Sequence, residues 1–260
     1  MRYGFIGCGN MGGSLARALA KTTKEIIIAD PSDAAKAFAA ELGCSHGTNE
    51  QAAQCDRVFL AVKPNLVEMV LSSLRPVLEQ KKPLIISMAA GVTLAQLEGW
   101  AGVELPMIRI MPNTPAAVGK GMITYCPNSR VDAQDVDSFL ADMAPAGIFD
   151  RLDEKLMDAA TAVSGCGPAF MYMFLEAMAD GAVACGLPRA KAYLYAAATM
   201  AGAAEMVLTT GQHPGVLKDA VCSPGGSTIV GVRTLEEQGL RGAVMDCIDA
   251  AYRKSQALGK

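Results

Sequence analysis

Six residues near the start of the chain, Gly7-Cys8-Gly9-Asn10-Met11-Gly12, constrain its fold more than any other stretch. Arg2 to Ile6 before them is a short apolar run of strand length, and Met11 to Ala20 after them is apolar at helical spacing. A strand that turns through glycines into a helix opens a βαβ unit. Gly7 permits the tight turn, Gly9 lets a ligand approach the backbone, and Gly12 lets the helix pack closely on the strand. The helix N-terminus offers unpaired N–H groups and partial positive charge, which suits the pyrophosphate of a dinucleotide.

The alternation continues. Glu25 to Ala29, Arg57 to Val62, Leu84 to Ser87 and Met107 to Ile110 are apolar and mostly β-branched, with helical patterns at Ser32 to Leu42 and Leu66 to Leu78. This predicts an α/β fold with a parallel, doubly wound sheet. Gly121 to Tyr125 and Gly147 to Phe149 are expected as edge strands around a helix at Asp132 to Met143. Ligands of such sheets bind at the carboxyl ends of the strands. Asp30-Pro31-Ser32, Ala61-Val62-Lys63-Pro64 and Ala89-Ala90-Gly91-Val92-Thr93 lie at such ends. Asp30 suits a free ribose 2′-hydroxyl and hence NAD, whereas the Ser32 hydroxyl suits the 2′-phosphate of NADP. Both residues would equally serve as caps of the next helix.

Near Leu152 the pattern changes, and the domain boundary is expected there, with a dinucleotide-binding domain at 1–152 and an all-helical domain at 153–260. From Leu156 to Leu217 the charges are Asp158, Glu176, Asp180, Arg189, Lys191 and Glu205, in a background of Ala, Met and Gly at helical spacing. Mean hydropathy is +0.25, high for a chain with no segment fit to span a membrane. The apolar excess therefore sits in helices that need another protein surface, an oligomer signal. A net charge of −3 gives no basic footprint for nucleic acid. The eight scattered cysteines and two histidines lack metal-ligand spacing, so no metal is expected and the cysteines are expected to be reduced, buried thiols in the cytoplasm.

Two later stretches place glycines and hydroxyls where helices are expected to start: Ser164 to Phe170, and Cys222-Ser223-Pro224-Gly225-Gly226-Ser227-Thr228. Each is a candidate site for a substrate carboxylate. The run Leu217 to Ile229, followed by Leu235-Glu236, resembles the signature of the pyrroline-5-carboxylate reductase family. Gly4 to Gly12, Met111-Pro112-Asn113-Thr114-Pro115, Ser164 to Phe170 and Gly186-Leu187-Pro188-Arg189 agree with that family in order along the chain.

The resemblance implies a Rossmann-like N-terminal domain and a helical C-terminal domain that dimerises by interleaving, with assembly of dimers into a larger ring. It implies reduction of 1-pyrroline-5-carboxylate to L-proline, the last step of proline biosynthesis, with NADPH ahead of NADH. By position, Gly7, Cys8, Gly9, Asn10 and Met11 would contact the pyrophosphate, and Ser32 with its neighbours the ribose. Val62, Lys63 and Ala90 would complete the cofactor contacts. Ser223, Gly225, Gly226, Ser227 and Thr228 would hold the substrate, with Glu154 nearby. Two positions depart from the family: Ala220 stands where Asn is frequent, and Asn49 aligns one position away from a common Asn.

The chemistry suits these residues. A cyclic imine must be protonated to accept a hydride, and Thr228 can hydrogen-bond and orient the ring nitrogen without being a strong acid. Backbone N–H groups around Gly225, Gly226 and Ser227 can hold the carboxylate. A 3-hydroxy acid dehydrogenase would need a catalytic Lys one turn into the helix after Gly167-Pro168, where the chain has Ala169, Phe170, Met171 and Tyr172. A non-catalytic dinucleotide sensor would have no use for a carboxylate cradle.

Overall fold

The computed structural model describes residues 1–258 and divides into two compact units. The first comprises Met1–Cys166 together with the stretch from Ala251 onward, and the second is Gly167–Ala250.

The first unit is built on an eight-stranded sheet in the order β3-β2-β1-β4-β5-β6-β7-β8. The strands are β1 (Tyr3–Ile6), β2 (Ile26–Ala29), β3 (Ser45–His46), β4 (Arg57–Leu60), β5 (Leu84–Ser87), β6 (Met107–Met111), β7 (Gly121–Pro127) and β8 (Gly147–Arg151). From β3 to β6 every pairing is parallel; β7 then runs antiparallel to β6, and β8 parallel to β7. Strand β7 is therefore interior to the sheet, and β8 alone is the edge on that side. The antiparallel turn needs no helical crossover: Pro115 and the short 3₁₀ segment Thr114–Val118 reverse the chain directly into β7.

Helices α1 (Asn10–Leu19), α2 (Asp33–Leu42), α3 (Asn49–Ala53), α4 (Val67–Lys81), α5 (Leu94–Ala101) and α6 (Ala133–Met143) cover the sheet. Two apolar clusters form the core. One packs Tyr3, Phe5, Leu15, Phe59 and Phe139 together; the other packs Ile6, Val58, Leu71, Ile85 and Leu97. The strands are apolar on both faces because both faces are covered. At the far edge from the strand carboxyl ends, the buried Arg57 donates to the Tyr3 hydroxyl oxygen at 2.9 Å and to the Asp142 carboxylate at 3.2 Å, tying α6 to β1 and β4.

The second unit consists of helices α8 (Gly167–Ala184), α9 (Arg189–Thr210), α10 (Pro214–Ala220), α11 (Ser227–Glu237) and the first part of α12 (Leu240–Leu258); α7 (Met157–Ala160) precedes it in the first unit. Its buried residues are Ala179, Ala192 and Ala196. Helices α8 and α9 are apolar nearly all round, so Tyr172, Met173, Leu194, Met206 and Leu208 remain exposed. All eight cysteines are free, and Cys55 is the buried one, while Cys185 is exposed and the other six are half-buried. Among the described residues no helix is long and apolar enough to cross a membrane, and no group of three metal-binding side chains occurs.

Candidate active site

In the sheet order, β1 lies between β2 and β4, so the chain's crossovers diverge on either side of it. A crevice opens at the carboxyl ends of strands at such a switch point. The loops after β1, β2, β4 and β5 all emerge on this edge, and they carry Gly7 to Gly12, Asp30 and Ser32, Val62 and Lys63, and Ala90. Asn49 opens α3 on the same edge, behind Thr48, which caps that helix by accepting from the Gln51 N–H.

Each glycine of the first loop has a separate steric reason. Gly7 has φ +94°, and a Cβ there would lie 2.7 Å from the Ala61 backbone. At Gly12 a Cβ would meet the Ala61 side chain and the Gly7 carbonyl, each at 2.8 Å. At Gly9 it would meet nothing, because Gly9 faces an open cleft. That cleft, of about 360 Å³, is lined by the loop Cys8 to Asn10, by Gly13, Ser14 and Arg17 of α1, and by Ser32, Ala35 and Phe38 on the α2 side.

Helix starts differ in how they are closed, and α4, α7 and α9 begin behind Leu66, Leu156 and Pro188 with no side-chain cap. Ser32, Thr48, Thr93, Asp132 and His213 each accept a backbone N–H of the helix they precede. By contrast α1 and α11 start behind glycines, Gly9 and Gly226, which supply no side-chain cap. Their first-turn N–H groups are left for a ligand or solvent. These are the two helices that the sequence motifs single out, one in each unit.

Asp30 is not the cap of α2, a role that Ser32 fills. Its carboxylate accepts the Cys8 N–H at 2.8 Å, the Ser32 N–H at 3.0 Å and the Ser32 hydroxyl at 2.7 Å, joining the glycine loop to the β2–α2 turn. Burial pushes its acidity toward the neutral form, but the bonds from Ser32 and Cys8 and the nearby His46 outweigh this and hold its pKa below the usual value. The ring of His46 donates through Nε2 to the Asp30 carbonyl at 2.9 Å. Burial, reinforced by Asp30, pushes the Cys8 thiol up to about 11, so Cys8 is a neutral lining residue and no nucleophile. Lys63 is exposed before the short segment Pro64–Leu66; Val62 and Ala90 are half-buried.

In the second unit, the loop from Cys222 to Gly226 is a tight turn in which the Gly226 N–H donates to the Ser223 carbonyl at 3.0 Å. A Cβ on Gly226 would strike the Ser223 hydroxyl at 2.4 Å. Since the Gly226 N–H is spent in the turn, the free donors belong to Ser227 and Thr228, the first residues of α11, with both hydroxyls exposed. Ala220 ends α10 and is exposed.

Ser164 and Glu154 both have local partners. Ser164 opens no helix: it lies in a π-helical turn, Thr161–Gly165, its hydroxyl donating to the Ala160 carbonyl while the Cys166 N–H closes on the Thr161 carbonyl. Helix α8 then begins at Gly167, inside the same stretch. Glu154 has its Oε1 engaged by the Leu94 N–H at 2.7 Å and by the buried Arg109 at 3.0 Å, bracing the start of α5 within the first unit.

Sequence reasoning overlooked three residues that shape the site. Arg109 and Arg17 are charges inside otherwise apolar patterns. Asn113 donates to the Ser164 carbonyl at 2.9 Å and accepts the Met122 N–H at 3.0 Å, which explains the Met111-to-Pro115 motif as a bracket between β6, β7 and the π turn.

Comparison with known proteins agrees with this geometry. Residues 154–258 match the family described as pyrroline-5-carboxylate reductase dimerisation. Residues 2–91 match the family described as NADP oxidoreductase coenzyme F420-dependent. The pyrroline-5-carboxylate reductase of Escherichia coli (strain K12) is 43% identical over 266 residues, covering 100% of this chain and 98% of that protein. A crystal structure of Plasmodium falciparum pyrroline carboxylate reductase with NADP bound superposes with a TM-score of 0.89 at 35% identity, covering 100% and 98%. The structure of a pyrroline-5-carboxylate reductase from Coxiella burnetii gives 0.91 at 32% identity, again covering 100% and 98%. Likeness of this extent runs through the starts of α1 and α11 and the stretches that join them, and on that ground the chain belongs to the pyrroline-5-carboxylate reductase family.

Proposed function

We propose that the protein reduces 1-pyrroline-5-carboxylate to L-proline with a nicotinamide dinucleotide, NADPH ahead of NADH, as the last step of proline biosynthesis. The observation that carries this reading is the pair of glycine-preceded, uncapped helix starts, with α1 suited to a pyrophosphate and α11 to a carboxylate. The glycine loop fits a dinucleotide because Gly9 leaves the cleft open and, among the described residues, no side chain caps the first turn of α1. Gly7, Cys8, Gly9, Asn10, Met11 and Gly12 would hold the pyrophosphate, with Ser32 at the ribose and Val62, Lys63 and Ala90 at the neighbouring loops. When bound, the dinucleotide supplies the hydride for the C=N carbon.

The chain's own part is binding and orientation. The N–H groups of Ser227 and Thr228 accommodate the substrate carboxylate, and the Thr228 hydroxyl accepts from the protonated ring nitrogen, fixing which face of the iminium is presented. Such an imine protonates near neutral pH, so the site selects the iminium and needs no strong acid. Glu154 is assigned to bracing, since its carboxylate is already engaged by Arg109 and Leu94.

The preference for NADPH rests on Asp30. An acid at this position favours NAD when its oxygens are free for ribose hydroxyls, and here three donors of the chain already occupy them. The exposed apolar faces of α8 and α9 support a homodimer, with dimers joining into a larger ring. Eight free cysteines accord with a cytoplasmic setting. The test is direct: purified protein given pyrroline-5-carboxylate should consume NADPH and release proline in equal amounts, and no turnover with either nucleotide would sink the reading.

A further inference from the structure

We infer that Arg17 sets the choice between NADPH and NADH, by leaving its pairing with Glu41 to hold the adenosine 2′-phosphate. The inference rests on the assignment of the dinucleotide to the α1–α2 cleft. Arg17 lies two turns into α1 and lines that cleft together with the glycine loop and Ser32. With a pyrophosphate on the α1 N-terminus and a ribose at Ser32, the part of this cleft of about 360 Å³ that lies beside Arg17 and Phe38 is left for what the ribose carries. Arg17 is the cation among the residues lining this space.

The side chain is arranged to be available. Its guanidinium lies 4.9 Å from the centroid of the Phe38 ring, which supports the stem, and Nη1 bonds Glu41 at 2.7 Å. Both partners are exposed, at 42% and 59%, so this pair is a weak one that solvent already screens. A phosphate dianion offers the planar guanidinium bidentate, charge-assisted bonds that a single exposed carboxylate does not match. Asp33, in the first turn of α2, and Glu41 both repel a 2′-phosphate. A cation is therefore needed for NADPH and irrelevant to NADH, which has a hydroxyl there.

Arg17→Met keeps a stem that can cover Phe38 and removes the charge. Titrating NADPH and NADH separately onto the wild type and this variant, by cofactor fluorescence, should show NADPH affinity falling about tenfold, or about 1.4 kcal/mol, with NADH unchanged. Glu41→Gln should shift the ratio the other way by freeing Arg17. An unchanged NADPH-to-NADH ratio in Arg17→Met, or an equal loss of both, would overturn the inference. Turnover of the wild-type preparation is measured alongside, so failure of the reductase assignment is read separately.

Discussion

The two units solve the problem of apolar surface differently. In the first, Phe59 stacks on Phe5 at 4.3 Å within a cluster that the chain closes by itself. In the second, α8 and α9 bury three alanines and leave Leu194, Tyr172 and Met173 open. Local sequence explains both: strands flanked by amphipathic helices complete a core within one chain, whereas helices apolar on every side do not. The first unit's stability should then be a property of the chain, and the second's a property of its concentration. The high mean hydropathy belongs to the second.

The largest expected effect follows from placing a charge on the open face. Leu194→Asp buries an unpaired carboxylate in any α9 interface, so sedimentation should show dissociation and the reductase assay loss of turnover, with the first unit still folded by circular dichroism. An assembled, active variant would show that this face of α9 meets only water. Phe59→Ala should lower unfolding stability by about 3–5 kcal/mol in chemical denaturation, equally at all protein concentrations. A strong concentration dependence of that loss would blur the contrast between the units.

The smallest effect concerns the Asp30 bracket. With its pKa held below the usual value near 3.8, Asp30 contributes stability that is present above that value and lost as pH falls through the lowered one. Asp30→Asn should remove this acid sensitivity and weaken nucleotide binding by about threefold, since one neutral acceptor replaces two charged ones. Unchanged binding and an unchanged acid limb of the stability profile would show that the Cys8 and Ser32 bonds are incidental.

Much of this was legible because it is local. The strands around Phe5, Val58 and Ile85 announce themselves as apolar runs, and the glycine loop by its spacing between strand and helix. The two-residue strand Ser45–His46 has no apolar signal, being exposed and held by pairing with β2 and by the His46 ring on the Asp30 carbonyl. The direction and interior place of β7 depend on partners far along the chain, which no local pattern encodes. Arg57 looks like an ordinary strand-end charge, and Arg109 like a stray charge within an apolar run, until the fold supplies Asp142 and Glu154 as partners. Asp30 showed both of its candidate roles in sequence, and its bond to the Cys8 N–H, 22 residues away, is visible only in three dimensions.

The division of labour between the units is the central claim, and NADPH titration of the Thr228→Ala variant tests it most directly. Thr228 lies in the loop of the second unit proposed to hold the substrate, while the dinucleotide is assigned to the first. The variant should bind NADPH within about twofold of the wild type while its kcat/KM for pyrroline-5-carboxylate falls at least about tenfold. Loss of NADPH affinity in parallel with turnover, or full turnover without the hydroxyl, would contradict it.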